Sequence, residues 1–275
     1  MVNEKNEKTS SLIDKQSEQD TRKIRINKVG VRDIQHPIEV MDKAKVRQNT
    51  IADLSISVDL PHHFKGTHMS RFVEVLNSHG SLIHVENMSE ILTELRERLE
   101  AETAHIDFQF PYFIEKEAPV TGARGLMNYE VKFEAAANAE RNSLRLSVTT
   151  PVTTLCPCSK AISARGAHNQ RSYVTITVES DEVVWIEDLV AIAEESASCE
   201  LFSLLKREDE KFVTEEAYDH PVFVEDLVRN VAMRCNADSR LKWYRIEADN
   251  MESIHNHSAF AVIENGKSTH IDIDL

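Results

Sequence analysis

The chain has 275 residues, of which 41% are hydrophobic, and a formal net charge of −14; these values allow one large or two ordinary globular domains with a sizeable core. The negative charge argues against nucleic acid as a partner, because binding to a phosphate backbone needs a basic surface. No apolar run approaches the roughly 20 residues of a membrane span, and residues 1–20 lack a signal-peptide core, so we expect a cytoplasmic protein without membrane contact.

The first half of the chain predicts a polar tail followed by strands that enclose two helices. Residues 1–22 can bury too little apolar area to order themselves, so we expect a disordered tail there. Apolar residues alternate with polar ones in the predicted strands and recur every three to four residues in the predicted helices. In order, the elements are extended segments over residues 23–47, a strand over 49–60, helices from residue 69 and over 89–99, and strands over 105–115 and 127–137.

The second half repeats this order. Its predicted elements are strands around residues 144–148 and 174–178, helices over 185–205 and 222–236, and strands over 243–250 and 259–264. Sequential antiparallel strands with helices inserted between them predict an α+β sheet with both helices on one face. We therefore expect two similar halves, residues 23–140 and 141–275. The sequence has no G-x-G-x-x-G or P-loop motif, which excludes the usual Rossmann and P-loop nucleotide sites.

The densest polar segment is T-T-L-C-P-C-S-K-A-I-S-A-R-G-A-H-N-Q-R-S, residues 153–172. Thiolate and imidazole are ligands that zinc selects, and Gly166 supplies the backbone freedom of a loop. Cys156, Cys158 and one later histidine match no zinc finger or ribbon, which would need four nitrogen or sulfur ligands. A metal site here must therefore recruit ligands from elsewhere.

The remaining two cysteines, Cys199 and Cys235, fall in predicted helices, where we expect simple core packing. Four cysteines in a chain of this length do not make a disulfide framework.

Three other clusters hold polar residues suited to chemistry. Residues 206–226 are rich in glutamate, most of it expected on the surface, but Glu225 lies beside an apolar stripe near a helix N-terminus, where a carboxylate is favoured. Residues 250–258 concentrate histidine and glutamate, which fits metal ligation or acid–base work as well as a plain polar hairpin tip. The third cluster suits phosphates by its positive charge and comprises His62, His63, Lys65, His68 and Arg71.

Six motifs occur in order between about Val29 and Glu264: K-G-T-H-M-S-R-F, T-L-C-P-C-S-K, G-A-H-N-Q-R-S, D-E-K-F-V-T-E, F-V-E-D-L-V-R and E-S-I-H-N-H. Together they resemble the prokaryotic GTP cyclohydrolase type IB family. The resemblance implies a tunnelling fold, with two tandem strand-strand-helix-helix-strand-strand units per chain and a barrel closed by oligomerisation. It also implies a homotetramer with sites at subunit interfaces, which converts GTP and water to 7,8-dihydroneopterin triphosphate and formate in the first step of tetrahydrofolate biosynthesis.

The resemblance also implies roles for individual residues. Cys156, His168 and Glu210 match metal ligands, Glu225 matches the acid that anchors guanine, and Cys158 matches a second active-site thiol that is either ligand or acid. Two further catalytic residues placed beside the metal are matched by Glu252 and His255. Contacts to the triphosphate would be drawn from Lys65, Arg71, Lys160, Arg165 and Arg171. Such ligands admit Zn, Mn or Fe(II) as the divalent metal ion.

These residue types support a coherent mechanism. Water must attack C8 of GTP, and a coordinated cation lowers the pKa of water from about 16 toward about 7. His255 would transfer protons to the ring nitrogens, and Glu225 would accept hydrogen bonds from guanine N1–H and the exocyclic amine.

Two alternatives remain open from the sequence. One is a metal-independent nitrile reductase of the same fold that acts on a deazapurine; the pairing of Cys156 with His168 argues against it. The other is a non-enzymatic protein in which a metal only staples the loop, although structural sites are closed and four-coordinate.

Overall fold

Alternating apolar and polar residues fold the chain into one large, mainly antiparallel sheet. The computed structural model describes residues 15–16, 18–44, 46–80 and 83–271. The ten strands of this part are β1 (Ile26–Met41), β2 (Arg47–Leu60), β3 (Ile83–His84), β4 (Ala104–Glu117), β5 (Arg124–Ala137), β6 (Asn142–Leu155), β7 (Asn169–Ser180), β8 (Cys199–Glu200), β9 (Leu241–Asn250) and β10 (Ala259–Gly266). They run in the order β10-β9-β7-β6-β5-β4-β2-β1-β3, and β8 pairs with β6 beside this path.

The helices found within the described residues are α1 (Met69–Ser78), α2 (Met88–Leu99), α3 (Pro157–Ile162), α4 (Ile186–Glu194), α5 (Arg207–Asp219) and α6 (Val224–Ala237). A single 3₁₀ turn, Val85–Asn87, precedes α2. The predicted α+β class is confirmed, as are α1, α2, α6 and the predicted strands. Over this same part of the chain, no helix combines the length and apolar character needed to cross a lipid bilayer.

The predicted helix over residues 185–205 is wrong in its second half, because the backbone there pairs with β6 instead. The chain leaves α4 after Glu194, the N–H of Ser198 donates to Thr153 O at 3.1 Å, and Cys199 then pairs with Thr153 in β8. Cys199 is accordingly a strand residue and not a helical one. The glutamate-rich segment that follows, for which no separate helix was predicted, contains the helix α5.

The core occupies one face of the sheet. Directly paired residues share a face, and the buried pairs Ile56–Ile106, Phe108–Phe133, Phe133–Leu146 and Leu146–Val178 continue this face from β2 to β7. Helices α1 and α2 pack over the strands of the first half of the chain, and α4 and α6 pack over the strands of the second half. The polar residues that alternate with these apolar residues along each strand lie on the opposite face of the sheet.

The two polar motifs of greatest interest lie at opposite ends of the sheet. The Lys65 end comprises the end of β2 and the starts of β4 and β6. Strand pairing aligns these positions: Val58 pairs with Ala104, Ala104 pairs with Ala137, and Ala137 pairs with Asn142. The Cys156 end comprises the ends of β6 and β9 and the starts of β7 and β10. Strand β6 has 14 residues, so the two ends are roughly 40 Å apart along it.

Part of the predicted tail, residues 1–14 and residue 17, lies outside the described residues. The rest approaches the loop after β2. Lys65 N–H donates to Glu18 O at 3.2 Å, Gly66 N–H donates to Gln16 O at 3.2 Å, and Asp20 N–H donates to His63 O at 3.1 Å. The side chains of Lys65 and Glu18 also form an ion pair.

Candidate functional site

Strand pairing brings Cys156 and His168 together at the base of one loop. Leu155 and Asn169 form the last pair of β6 and β7, and the N–H of Cys156 donates to His168 O at 3.1 Å. Between them, Gly166 has a φ of 71°, in the left-handed region that glycine adopts without strain. The sequence separates the two ligand candidates, but the hairpin geometry makes them neighbours.

Helix α3 holds the first cysteine in place. Cys156 is its N-cap residue, Pro157 occupies the first turn, where a missing N–H costs nothing, and Ser159 N–H donates to Cys156 Sγ at 3.5 Å. Ser159 Oγ also donates to Cys156 O at 3.1 Å and accepts from His168 N–H at 3.2 Å. The loop is thus closed across its base, while Cys158 lies exposed on α3.

His168 is oriented by a glutamine two residues later. Its Nδ1 lies 2.9 Å from Gln170 Oε1. A glutamine oxygen only accepts hydrogen bonds, so this contact is satisfied when Nδ1 carries the proton. The lone pair of Nε2 is then available to a ligand, which is the usual state of a metal-binding histidine.

The loop between β9 and β10 lies beside β7 at the same end. Met251 N–H donates to Arg171 O at 3.1 Å and fixes the start of this loop. The carboxylate of Glu252 accepts a hydrogen bond from His255 Nδ1, and the rings of His255 and His257 stack with centroids 5.0 Å apart. The structure therefore brings this acid–imidazole pair to the Cys156 end.

Two helix ends also converge there. Val222 N–H donates to Leu155 O at 3.0 Å, which ties the start of α6, and with it Glu225 in the first turn, to the end of β6. Lys160 donates to the carbonyl oxygen of Tyr218 near the end of α5 and lies 4.2 Å from the centroid of the Tyr218 ring. Arg165 is exposed in the loop itself.

Helix α5 is anchored by a buried carboxylate beside Glu210. Asp209 accepts from the N–H groups of Val120 and Thr121, each at 2.9 Å, from Thr121 Oγ1 at 2.6 Å and from Lys206 N–H at 2.9 Å. Burial opposes ionisation, but these hydrogen bonds outweigh it and hold the pKa of Asp209 well below its ordinary value. Glu210 is exposed on the same turn.

A cavity of about 770 Å³ lies beside the site on the face of the sheet away from the helices. Arg171 lines it together with residues of β5, β6, β7 and β9, most of them on the outward face, and residues that follow β8, namely Met127, Asn128, Glu130, Thr149, Pro151, Tyr173, Thr175, Leu201, Phe202, Glu247 and Asp249. This volume lies in the range of small-molecule pockets.

One chain does not assemble every predicted site residue. Lys65 and Arg71 lie at the opposite end of the sheet, where Arg71 Nη1 donates to Arg98 O at 3.2 Å. Among the residues described for a single chain, no three histidine, cysteine, aspartate or glutamate side chains lie close enough to hold a metal ion. Glu210 therefore does not join Cys156 and His168 in a complete ligand set within this chain.

The comparisons with known proteins identify the family. A family model described as type I GTP cyclohydrolase FolE2 matches residues 12–261. The chain belongs to this GTP cyclohydrolase family. Its relatives include GTP cyclohydrolase FolE2 2 of Dechloromonas aromatica, 56% identical over 94% of this chain and 96% of the relative, and GTP cyclohydrolase FolE2 of Akkermansia muciniphila, 57% identical over 92% and 97%. The resemblance seen in the motifs is confirmed, and neither alternative is supported.

Similar solved structures agree with the fold. A uricase described as from Bacillus fastidious has a TM-score of 0.53 at 7% identity, over 89% of this chain and 93% of that one. The urate oxidase of Bacillus sp. TB-90 has a TM-score of 0.52 at 9% identity, over 87% and 99%. At such low identity the likeness shows the fold alone, a tunnelling-fold-like α+β arrangement.

Sequence reasoning about this GTP cyclohydrolase family member missed Ser159, Gln170 and Asp209. Gln170 had a usable signal, since it continues the inward-facing alternation of Val174 and Ser172 and is a polar residue at a core position. Asp209 had none, because it lies in a run of charged residues. The expected core role of the other two cysteines agrees with the structure: burial raises the pKa of Cys199 to about 11 and that of Cys235 to about 12.

Proposed function

We propose that this protein is a GTP cyclohydrolase that opens the imidazole ring of GTP at C8, with GTP and water as substrates and 7,8-dihydroneopterin triphosphate and formate as products. This reaction is the first step of tetrahydrofolate biosynthesis, for which we propose a cytoplasmic location. The observation that carries the proposal is the pairing of Cys156 with His168 at the same end of the sheet as the Glu252–His255 pair, in a chain of the GTP cyclohydrolase family.

The donor set fits a divalent metal ion. Cys156 offers a thiolate, and the contact of His168 Nδ1 with Gln170 leaves Nε2 as an imidazole ligand. We propose Glu210 as the third ligand; with a carboxylate, the set admits Zn, Mn or Fe(II). A divalent cation held by these residues would supply acidified water at neutral pH, since coordination lowers the pKa of water from about 16 toward about 7.

The remaining catalytic residues act on protons. Glu252 accepts from His255 Nδ1, which orients the ring and leaves Nε2 to exchange protons with the substrate. One water adds at C8 and a second hydrolyses the formamide that forms, and His255 would deliver protons to the two ring nitrogens as their bonds to C8 break and formate departs. Closure of the new ring with the ribose carbons releases one water, so the overall reaction consumes one. We propose that the exposed Cys158 assists as a second thiol on α3, either as a ligand or as an acid.

Guanine recognition falls to Glu225. It lies in the first turn of α6, where the helix dipole favours a carboxylate, and the start of α6 is tied to the end of β6. A carboxylate accepts hydrogen bonds from both guanine N1–H and the exocyclic amine, whereas adenine presents no such pair of donors on this edge.

We further propose that a second copy of the chain completes the site. Lys160, Arg165 and Arg171 can contact the triphosphate from the Cys156 end, but Lys65 and Arg71 lie roughly 40 Å away along β6, so they would serve a site on another subunit. The edge strand β10 exposes Phe260 and Val262, at 73% and 42% of their surface, and an edge of this kind is suited to pairing with another chain.

The arrangement of elements supports tandem units. Residues 23–140 contribute β1, β2, α1, α2, β4 and β5, and residues 141–275 contribute β6, β7, α4, α6, β9 and β10 in the same order. Two such units per chain, in a homotetramer, would close a barrel across subunits.

The decisive experiment incubates the purified full chain with GTP and Mn(II), Zn(II) or Fe(II), in separate reactions. We expect formate and, after oxidation, a fluorescent pterin with at least one metal, and neither product in the presence of a chelator. The absence of both products with all three metals would refute the proposed function.

A further inference from the structure

A buried chain of hydrogen bonds extends inward from His168. His168 Nδ1 lies 2.9 Å from Gln170 Oε1, Gln170 Nε2 donates to Thr154 Oγ1 at 2.8 Å, and Thr154 Oγ1 lies 2.7 Å from Ser172 Oγ. Gln170 is 8% exposed, and Thr154 and Ser172 are fully buried. This row of three residues links the imidazole to the interior of the sheet.

These polar residues occupy positions where an apolar side chain would suffice. The alternation of β7 directs Gln170 and Ser172 to the same face as Val174 and Ile176, and Thr154 lies on that face of β6. A buried amide stabilises a fold only when its donors and acceptors are paired. Packing alone therefore does not account for an amide and two hydroxyl groups directly behind a ligand candidate.

The direction of the hydrogen bonds decides which imidazole nitrogen is available. With Oε1 of Gln170 facing the ring, Nδ1 must carry the proton, and Nε2 keeps its lone pair. With the amide reversed, its NH₂ group would face Nδ1, the proton would move to Nε2, and Nε2 could not bind a cation. In the observed orientation Thr154 Oγ1 accepts from the NH₂ group and pairs with Ser172 Oγ, so the buried amide is hydrogen-bonded at both ends and held beside the ring.

We infer that Gln170 is a positioning residue, which holds His168 with Nδ1 protonated and Nε2 available to a divalent cation, and that Thr154 and Ser172 anchor the buried amide of Gln170 beside the ring. The inference rests on the proposed function, since it assigns a support to the metal site of that proposal. Residues that orient metal-binding histidines typically change metal affinity by about 10- to 100-fold when they are replaced.

The test compares Gln170→Leu with Gln170→Glu in the full chain. Leucine has a similar size but accepts no hydrogen bond, whereas a carboxylate accepts the same proton from Nδ1. Zn(II) affinity is measured by competition with a chromophoric chelator, and the ligand field is read from the absorption spectrum of the Co(II)-substituted protein. We expect Gln170→Leu to weaken Zn(II) binding by about 10- to 100-fold and to alter the Co(II) bands, and Gln170→Glu to restore both.

Thr177→Val is the matched control. Thr177 Oγ1 lies 2.8 Å from Ser147 Oγ on the same two strands, but on the opposite face of the sheet. We expect this variant to bind Zn(II) as the parent protein does. A loss equal to that of Gln170→Leu would show a general effect of removing a strand hydroxyl and would overturn the inference.

Thermal melting first verifies that each variant is folded. If Gln170→Leu does not fold, Thr154→Val carries the test, because it leaves the amide in place without its acceptor. If a folded Gln170→Leu protein keeps the Zn(II) affinity and the Co(II) spectrum of the parent, the inference is overturned, even when the parent is active. The same result with Thr154→Val overturns it when Gln170→Leu does not fold. A weakened metal site together with a parent protein that makes no formate would instead refute the proposed function and leave the positioning role standing.

Discussion

The two halves of the chain share an order of elements but differ in what connects them. The first half joins β1 to β2 through residues 42–46 and β4 to β5 through residues 118–123, whereas the second joins β6 to β7 through residues 156–168, which include α3. The second half also inserts β8 and α5 between its two main helices. Most of the predicted metal and catalytic residues lie in these additions, namely Cys156, Cys158, His168 and Glu210, and the other two, Glu252 and His255, lie in the connection between β9 and β10.

On the proposed assignment of site residues, the first half serves mainly as scaffold and the second carries most of the site. The halves are nevertheless connected, because Asp209 at the start of α5 accepts the N–H groups of Val120 and Thr121 in the turn between β4 and β5. The short turn of the first half thereby positions the inserted helix of the second.

The largest effect is expected from replacing a ligand in the long loop. His168→Ala removes an imidazole from the proposed metal site, so activity should fall by roughly 1000-fold or more, and the purified protein should lose its metal. Metal content and formate release measure the two effects. Val46→Ala changes an exposed residue in the corresponding connection of the first half and should alter neither metal content nor formate release. Equal losses in the two variants would contradict the functional difference between the two halves.

A smaller effect is expected at the start of α6. Glu225→Ala removes the proposed acceptor for guanine, so KM for GTP should rise by roughly 100-fold, from the loss of charge-assisted hydrogen bonds, while metal content stays unchanged. Steady-state kinetics at saturating metal measure this. Glu90 holds the matching place in the first turn of α2, and Glu90→Ala should leave KM unchanged. Loss of metal from the Glu225 variant would contradict the assigned role.

The Lys65 end should contribute less, and only through another subunit. Lys65→Ala removes one proposed phosphate contact, so KM for GTP should rise by roughly 10-fold. Arg141→Ala removes another exposed cation at that end and should have no effect. Mixing the Lys65→Ala and His168→Ala proteins after dissociation should regenerate some intact sites. Failure of mixed assemblies to exceed the activity of either parent would contradict a site shared between chains.

The smallest expected effect is a pH-dependent loss of stability from Asp209→Asn. The folded-state pKa of Asp209 is lowered, so its contribution is fully present above the unfolded pKa of about 3.9 and is lost as the pH falls through the folded-state value. We expect a melting temperature roughly 5 °C below that of the parent at pH 7, with the difference shrinking below about pH 4. A constant difference between pH 7 and pH 3 would show that ionisation of Asp209 is not the cause.

Much of the fold follows from local patterns. Leu54, Ile56 and Val58 alternate with polar residues and form a half-buried strand, and the stripe of α6 recurs at helical spacing. The apolar residues after Glu194 recur at the same helical spacing, yet this segment forms no helix. Instead, the backbone of Ser198 and Cys199 pairs with β6. Helix α5 was not predicted because its sequence lacks an apolar stripe. Only Asp209 and Ala217 of this charged segment are buried.

The sequence by itself determined the α+β class and the family, and it supplied the residue types of the proposed thiolate–imidazole metal site. These depend on local periodicity and on short motifs, each contained in a few neighbouring residues. Tertiary structure alone decided that Cys156 and His168 close one loop, that Gln170 supports the imidazole, and that Lys65 lies at the far end of the sheet. The physical reason is that strand register and side-chain hydrogen bonds join residues distant in sequence, and no local pattern specifies such partners.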